Sequence, residues 1–338
     1  MKSSTPRGTT SRFTLLTRDQ FRDRVLNRRT SYREGKAIPR CCVPDCAKEA
    51  VDAHHIIERA LWKDPKEEGG YFMENGAALC EEHHILAERN IITPDALRRW
   101  CGIQSRCVPW GYDYPIDKWG DSVLSEHSAY PHTPYFSFSP LPHGRDEHDR
   151  HVADLGEFVD VPLVITLKMD GANVCLTRTG VTGRNGEHAN NPIFHRLKAQ
   201  HAEFAADIPG DIEVYAEWLD RCHTIHYTGD LALEHRLMVF AARYGYEWLS
   251  WDDTVALGLP TVPVVAFHRV STADYKLTRD IAELGDDAIA KGHEGIVVRS
   301  RYSFFDRQFE KRVAKYTRHD FTPGARFHDN LYNHVIHA

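Results

Sequence analysis

A chain of 338 residues, of which 42% are hydrophobic and 27% charged, is long enough for two hydrophobic cores and has an ordinary soluble composition. It has no apolar run of about 18 residues, and its first residues are polar and basic, which argues against a membrane-spanning helix and a secretory signal peptide. The composition therefore predicts a soluble, intracellular (cytoplasmic) protein with no membrane partner.

The net charge of −6 is unevenly distributed along the chain. Residues 1–40 carry eleven Lys or Arg against three Asp or Glu, so the remainder is strongly acidic. A basic N-terminal arm of this kind can neutralise nucleic-acid phosphates. Solvated basic tails have the same composition, so both interpretations of residues 1–40 stay open.

The first predicted element is a polar helix over 14–36. A Cys- and His-rich module follows over 41–105. A connector rich in Pro and aromatic residues follows over 106–150. Beyond it, helices are predicted near 192–206 and 278–291. Short β-branched runs predict strands at 161–167, 211–215, 237–240 and 295–299. Residues 151–338 are therefore predicted as an α+β domain.

The Cys/His module contains the spacings Cys42-x3-Cys46 and Cys80-x2-His83. Zinc prefers tetrahedral thiolate and imidazole ligands and is commonly held by two such close pairs, so we predict a structural Zn²⁺ site. Cys41 could replace Cys42, because spacing cannot choose between adjacent cysteines. The alternative is a set of buried, unliganded Cys and His side chains.

Beside these pairs stand His54-His55-Ile56, Asn75 and His84. This stretch resembles the HNH endonuclease family, in which a small ββα-metal element is held together by a nearby zinc site. The resemblance implies that His55 is a general base, that His54 and His84 hold a divalent cation, and that Asn75 braces the base-bearing loop. The His54 position is often a carboxylate in that family, so a nuclease and a module that only binds nucleic acid both remain open.

Lys168 ends an apolar strand and begins the segment Lys168-Met169-Asp170-Gly171-Ala172-Asn173. The glycine allows a turn, and a strand end can direct an amine into a pocket. A free lysine has a pKa near 10.4, so attack on a phosphate requires desolvation or neighbouring cations that favour the neutral amine. By itself, the segment fits an exposed strand-end lysine better than a nucleophile.

Later segments change this interpretation through their order. Glu217-Trp218-Leu219 is followed by Leu237–Phe240, then by Glu294–Arg299, and finally by Lys311–Tyr316. With Lys168, they resemble the covalent nucleotidyltransferase superfamily of ATP-dependent ligases and capping enzymes, and most closely its RNA ligases. The resemblance spans residues 160–320 and implies a ligase-type domain of antiparallel sheets with flanking helices.

The resemblance also implies roles for individual residues. Lys168 would form the lysyl-AMP bond, Lys315 would contact the α-phosphate, and Lys311 is a weaker candidate for a second cationic contact. The remaining residues that it places around the nucleotide and its metal are Asp170, Asn173, Arg184, Glu217, Phe240 and Glu294. Two positions depart from the family's usual pattern, since Ala216 precedes Glu217 and Val313 stands where a lysine is common.

Only 23 residues follow Lys315, too few for the C-terminal OB-fold of related DNA ligases and capping enzymes. The sequence therefore predicts an ATP-dependent RNA ligase that uses Mg²⁺ or Mn²⁺ and joins a 5′-phosphate to a 3′-hydroxyl. It predicts no particular protein partner. The alternatives are a metal-dependent HNH nuclease with a nucleotide-binding C-terminal domain and a non-catalytic, zinc-dependent nucleic-acid-binding protein.

Overall fold

The computed structural model of the chain divides it into two compact units, residues 1–124 and 125–338. The residues that the structure describes are 13–124, 129–140, 153–184, 186, 188–268, 274–318 and 331–336. The division falls inside the predicted connector, so that residues 106–124 belong to the N-terminal unit. Residues 1–12 of the predicted basic arm lie outside the described part of the chain.

In the described part of the N-terminal unit, the strands form two small antiparallel pairs, and three short α-helices accompany them. Its elements in chain order are α1 (Arg18–Leu26), β1 (Thr30–Arg33), β2 (Lys36–Pro39), β3 (Asp52–His55), β4 (Gly76–Leu79), α2 (Glu81–Glu88) and α3 (Pro94–Trp100). Strand β1 pairs with β2, and β3 pairs with β4. Phe21 and Val25 of α1 pack against Ala78 of β4, so the basic residues of α1 belong to a folded unit and not to a free arm.

The helix predicted over 14–36 is wrong beyond Leu26. Thr17 and Gln20 form a capping box that begins α1, because each side chain accepts a hydrogen bond from the other's backbone N–H. The chain then turns between β1 and β2 through Glu34 and Gly35, which have φ angles of 52° and 78°. This left-handed backbone is incompatible with a continuous right-handed helix.

The C-terminal unit consists of two antiparallel sheets with helices, as the sequence predicts. Its strands are β5 (Leu163–Leu167), β6 (Ala172–Thr177), β7 (Gly180–Gly183), β8 (Ile212–Trp218), β9 (Leu237–Tyr244), β10 (Glu247–Trp248), β11 (Val264–His268), β12 (Gly295–Ser300), β13 (Phe304–Phe305) and β14 (Val313–Thr317). Its helices are α4 (His195–Phe204), α5 (Trp251–Val255), α6 (Asp274–Ala290) and α7 (Phe309–Arg312).

The sheet topology of this unit brings distant segments together. One sheet has the strand order β13-β10-β9-β8-β6-β7, and the other has the order β11-β5-β12-β14. In the second sheet, Ile296 of β12 is paired with Leu167 of β5, and the Lys168 N–H donates to the Gly295 carbonyl over 2.9 Å. The end of β5 and the start of β12 therefore lie side by side.

Two glycines at these strand ends permit close backbone approaches. A Cβ atom at Gly171 would lie 2.5 Å from the Trp218 carbonyl oxygen, and one at Gly295 would lie 2.1 Å from the Tyr316 carbonyl oxygen. Gly295 also has a φ of 147°, which L side chains rarely adopt. Larger residues at either position would push apart the strands that hold the neighbouring carboxylates.

No helix in the described part of the chain combines the length and the apolar character needed to cross a bilayer.

Candidate functional site

A cavity of about 370 Å³ in the C-terminal unit is lined by residues from both of its sheets. This volume is within the range of small-molecule sites in proteins. Eight residues that the sequence analysis singled out line it together: Lys168, Asp170, Asn173, Arg184, Glu217, Phe240, Glu294 and Lys315. The structure therefore gathers into one cavity residues that are spread over almost 150 positions of the sequence.

Lys168 forms an ion pair inside this cavity. Its Nζ atom lies 2.6 Å from Oε2 of Glu294, whose side chain is only 6% exposed. Burial lowers the pKa of Lys168, but the Glu294, Glu217 and Asp170 carboxylates outweigh this effect, so the pKa lies above its usual value. The amine is thus protonated at neutral pH when these carboxylates alone surround it.

Glu217 adds to a local excess of negative charge. Its Oε1 accepts a hydrogen bond from the Gly171 N–H over 2.9 Å. Burial raises the pKa of Glu217 to about 7, with a further contribution from Glu294 and against the opposing effect of Lys168. Burial also raises the pKa of Glu294. Two carboxyls with raised pKa values in one cavity are typical of a site that receives a cation or a proton.

Asp170 is held by the loop that follows β8. Its Oδ2 accepts backbone hydrogen bonds from Thr224 and Ile225 over 2.7 and 2.6 Å, and its Oδ1 lies 2.9 Å from Nδ1 of His223. The Tyr227 hydroxyl accepts a hydrogen bond from the Asp170 N–H over 2.8 Å. This carboxylate therefore fixes the loop to the Lys168 segment. The hydrogen bond to this carboxylate contributes most to raising the pKa of His223.

The same loop is anchored from behind by Asn333, a residue that the sequence analysis did not identify. Asn333 is 5% exposed. Its Nδ2 donates to the Leu219 and Arg221 carbonyls over 2.8 and 3.1 Å, and its Oδ1 accepts from the Tyr227 N–H over 2.9 Å. The segment 331–336 thus stabilises the loop that holds Asp170.

The cationic residues of the prediction do not all lie in the cavity. Lys315 lines it, with Nζ 4.1 Å from the centre of the Tyr135 ring. Arg184 also lines it, and its Nη2 lies 3.1 Å from Nδ1 of His132. Lys311 instead pairs with Glu157 over 3.0 Å on the surface, outside the residues that line the cavity. It lies in α7 rather than on β14, so the structure does not support its role as a second cationic contact.

Several further residues that line the cavity were not assigned a role by the sequence analysis. His223 and Tyr130 line it beside Asp170 and Phe240, and Val297 and Arg299 line it from β12. The position of His223 shortly after Glu217 was a usable signal in the sequence. Tyr130 lies in the predicted connector, and only the fold brings its ring to 5.1 Å from that of Phe240.

In the N-terminal unit, a zinc-type cluster forms from Cys41, Cys46, Cys80 and His83. The Cys41 and Cys80 sulfurs each lie 3.3 Å from Nδ1 of His83, and the Cys46 and Cys80 sulfurs are 4.0 Å apart. Zn–S bonds of about 2.3 Å place tetrahedral sulfur ligands roughly 3.8 Å from one another, so these separations fit one Zn²⁺ ion.

Cys41 therefore replaces Cys42 in the predicted ligand set. The Cys42 thiol is hydrogen-bonded to the Cys101 thiol instead. The Cys42 N–H donates to the Ala78 carbonyl over 2.9 Å, which fixes the backbone so that the two adjacent side chains point in different directions. Sequence spacing contains no information about this choice.

A second cluster joins the predicted residues His54 and His84 to Glu88, which was not predicted. Oε1 of Glu88 lies 3.1 Å from Nδ1 of His54 and 3.3 Å from Nε2 of His84. The Lys118 ammonium group lies 3.1 Å from the same oxygen. The cluster thus has the donor set for a divalent cation, but an internal cation already contacts its carboxylate.

His55 faces away from this cluster. Its ring stacks on Phe21 at 4.6 Å and meets Tyr71 edge-on at 5.4 Å, because neighbouring residues of a strand point to opposite faces. This arrangement does not support its predicted role as general base. Asn75 is fully buried, and its side chain bonds to the backbone of Ile57 and Gly70, as the predicted brace requires.

The comparison with known protein families concerns the C-terminal unit. Residues 161–317 match the sequence profile of the family described as RNA ligase. Over these residues the chain is similar to the RNA ligase family. The profile covers a little under half of the chain and contains all eight cavity residues of the prediction. None of the curated proteins matches the chain in sequence.

Several solved structures are similar to part of the chain. An archaeal ATP-dependent RNA ligase aligns with 19% identity and a TM-score of 0.41, over 56% of this chain and 48% of its own. A putative ATP-dependent DNA ligase from Aquifex aeolicus aligns with 21% identity and a TM-score of 0.39, over 56% and 49%. The chain spans about half the length of these two proteins. An RNA ligase from Naegleria gruberi with PPi aligns with 14% identity and a TM-score of 0.34, over 90% and 81%.

Proposed function

We propose that the protein is an ATP-dependent RNA ligase that acts through a lysyl-AMP intermediate on Lys168. The observation that carries the proposal is the Lys168–Glu294 ion pair of 2.6 Å in a cavity that Glu217, Phe240 and Lys315 also line. The profile match of residues 161–317 supports RNA as the substrate class.

In the first step, Nζ of Lys168 attacks the α-phosphorus of ATP. A P–N bond forms, the P–O bond to the β-phosphate breaks, and pyrophosphate leaves. Glu294 accepts a hydrogen bond from the attacking amine and can therefore accept its proton. Lys315 lines the same cavity and stabilises the negative charge that develops on the phosphates.

The next two steps transfer AMP to the nucleic acid and then release it. The 5′-phosphate of one RNA end attacks the lysyl-AMP phosphorus, which frees the Lys168 amine and caps the end with AMP. The 3′-hydroxyl of the other end then attacks that 5′-phosphate, so that a phosphodiester forms and AMP leaves. Both steps exchange bonds at phosphorus and require the same cationic surroundings.

The carboxylates of the cavity fit a divalent cation, either Mg²⁺ or Mn²⁺. Both ions prefer oxygen ligands, and the pKa of Glu217 is raised by burial and, to a smaller extent, by the neighbouring Glu294 carboxylate, so a bound cation would stabilise its ionised form. Both oxygens of Asp170 accept hydrogen bonds from the loop, whereas Glu217 and Glu294 each accept one at a single oxygen, so these two residues would hold the ion. When bound, it neutralises part of the phosphate charge.

The N-terminal unit fits a structural Zn²⁺ ion held by Cys41, Cys46, Cys80 and His83. These donors lie within 4.8 Å of one another, which matches a closed tetrahedral site. Such a staple joins the segment before β3 to the start of α2 and stabilises a unit with a small core.

The ligase proposal is tested by incubating the protein with ATP and magnesium and measuring its mass. We expect wild-type protein to gain the mass of one AMP and Lys168→Ala to gain none. Lys311→Ala is the matched control, because this lysine lies outside the cavity and its loss leaves adenylylation intact. Absence of an adenylate on wild-type protein with every nucleotide would refute the proposal.

The substrate is tested by sealing nicked RNA, DNA and hybrid duplexes that carry 5′-phosphate and 3′-hydroxyl ends. We expect strands with RNA at the join to be sealed most rapidly. Sealing of DNA alone would contradict the RNA assignment while leaving the lysyl-AMP mechanism in place.

A second candidate function, a metal-dependent nuclease, is favoured by the His54–His84–Glu88 cluster. In that case the N-terminal unit would cut nucleic acid. Without this activity, the unit would only bind nucleic acid. Nicking in the presence of divalent metals that is lost in His84→Ala would support cutting. Wild-type protein that nicks no substrate with any divalent metal would exclude it.

A further inference from the structure

Arg299 lies in the wall of the cavity, and two of its nitrogen atoms form no hydrogen bond with the residues that the structure describes. It belongs to β12 and is only 3% exposed. Its Nη1 donates to the backbone carbonyl of Phe240. Its Nε and Nη2 atoms are fully buried and have no hydrogen-bond partner among the residues that the structure describes.

A buried guanidinium with unpaired donors is destabilising unless something else satisfies it. Arginine remains charged under all ordinary conditions, and its N–H groups lose their water on burial. The Trp251 ring, with its centre 5.8 Å from the guanidinium carbon, provides only a weak cation–π contact. Donors kept in this state within a binding cavity are suited to a ligand with acceptor atoms.

The position of Arg299 identifies the part of the nucleotide that it would meet. Glu294, at the Lys168 end of the cavity, and Arg299 are separated by about 16 Å of extended strand. Val297 lines the cavity between them, and Phe240 lines it from the other sheet. Arg299 therefore lies at the end that contains the Phe240 and Tyr130 rings, away from the carboxylates that surround Lys168.

We propose that Arg299 reads the base of the nucleotide donor by donating a hydrogen bond to an acceptor nitrogen of the purine ring. This inference rests on the proposed ligase function and extends it to base recognition. A guanidinium has donors and no acceptor, whereas the N1, N3 and N7 atoms of adenine are acceptors. A site built to satisfy a polar group discriminates strongly against analogues that leave that group unpaired.

The test measures kcat/KM for adenylylation with ATP and with its 1-deaza, 3-deaza and 7-deaza analogues, each of which lacks one acceptor. We expect wild-type protein to lose roughly 10- to 100-fold with one analogue and little with the other two, as expected for a hydrogen bond to a charged donor. Arg299→Met, which keeps the apolar stem but has no donor, should use ATP and the discriminating analogue equally well.

Two results would overturn this proposal. One is a wild-type enzyme that uses all three analogues as well as it uses ATP. The other is an Arg299→Met variant that keeps the wild-type discrimination, in which case Arg299 only supports the Phe240 backbone. If the variant fails to fold by circular dichroism, the wild-type series decides alone. Failure of the ligase proposal is a different result, namely the absence of any adenylate on wild-type protein.

Discussion

Lys168 and Glu294 are separated by 126 positions in the chain, yet their charged atoms lie 2.6 Å apart. The contact follows from the pairing of β5 with β12, which places the end of one strand beside the start of the other. Because a lysine must lose its proton before it can act as a nucleophile, the carboxylates around Lys168 determine its reactivity.

Glu294→Gln is expected to lower the pKa of Lys168, since it removes the carboxylate that contributes most to raising it. We expect the pH midpoint for acylation of Lys168 to fall. Competitive labelling with an amine-reactive reagent, followed by mass spectrometry of the peptides, measures this midpoint. Exposed Lys311 is the internal reference. An unchanged or higher midpoint for Lys168 would contradict this account of the pair.

Glu217→Gln is expected to stabilise the protein at high pH. The folded-state pKa of Glu217 is raised to about 7 by burial, whereas a free glutamate titrates near 4.3. The folded state therefore binds this proton more tightly, and the free energy of unfolding falls as the pH rises from about 4 to about 7. The ionised carboxyl destabilises the fold above that range, and glutamine removes this effect.

Urea unfolding at pH 8 and pH 4 measures the difference. We expect the free energy of unfolding of Glu217→Gln to exceed that of wild type by about 1–3 kcal/mol at pH 8 and to differ little from it at pH 4. Glu203→Gln, an exposed change on α4, is the matched control and should leave stability unchanged. An advantage of equal size at both pH values would mean that the effect does not come from ionisation.

Asn333→Leu is expected to destabilise the protein by about 2–4 kcal/mol, because it leaves the buried Tyr227 N–H and two buried carbonyls without partners. It should also slow adenylylation, since the loop holds Asp170. Asn333→Asp keeps the acceptor for Tyr227 and should be affected less. Denaturant titration and adenylate formation report the two effects. If the leucine variant matched wild type in both stability and adenylate formation, Asn333 would not be the residue that supports this loop.

Cys41→Ser is expected to lose bound zinc, whereas Cys42→Ser should retain it. Of these two cysteines, Cys41 is the one whose sulfur lies close to Cys46, Cys80 and His83. Metal analysis of the purified variants gives the zinc content per chain, and wild-type protein should contain one ion. The reverse result, with zinc lost from the Cys42 variant alone, would restore the ligand set that the spacing first suggested.

Much of the C-terminal site could be predicted from local sequence. Lys168, Glu217, Phe240 and Glu294 each lie within or next to a strand that its β-branched residues predict, and their order along the chain is informative. Lys311 stands close to Lys315 in sequence but is not among the residues that line the cavity. Lys311 belongs to the short helix α7 and pairs with Glu157 on the surface, whereas Lys315 lies on β14.

Other features depended on contacts between distant segments. His54 and His84 were predicted together, but Glu88 joins them only because α2 packs beside β3. Arg299 looks like an ordinary strand residue until its neighbours show that it is buried with unpaired donors. Asn333 has no recognisable motif, and its importance lies entirely in the three backbone groups that it satisfies.

The sequence by itself predicted a Cys- and His-rich N-terminal module, an α+β C-terminal domain, four of the strands of that domain and eight of the side chains that line its cavity. These features follow from residue type, periodicity and order, which are local properties of the chain. Only the tertiary structure decided between Cys41 and Cys42, paired Lys168 with Glu294, turned His55 away from His54 and placed Arg299 in the cavity wall. The direction of a side chain depends on which strand or loop packs against it, and spacing along the chain does not specify this.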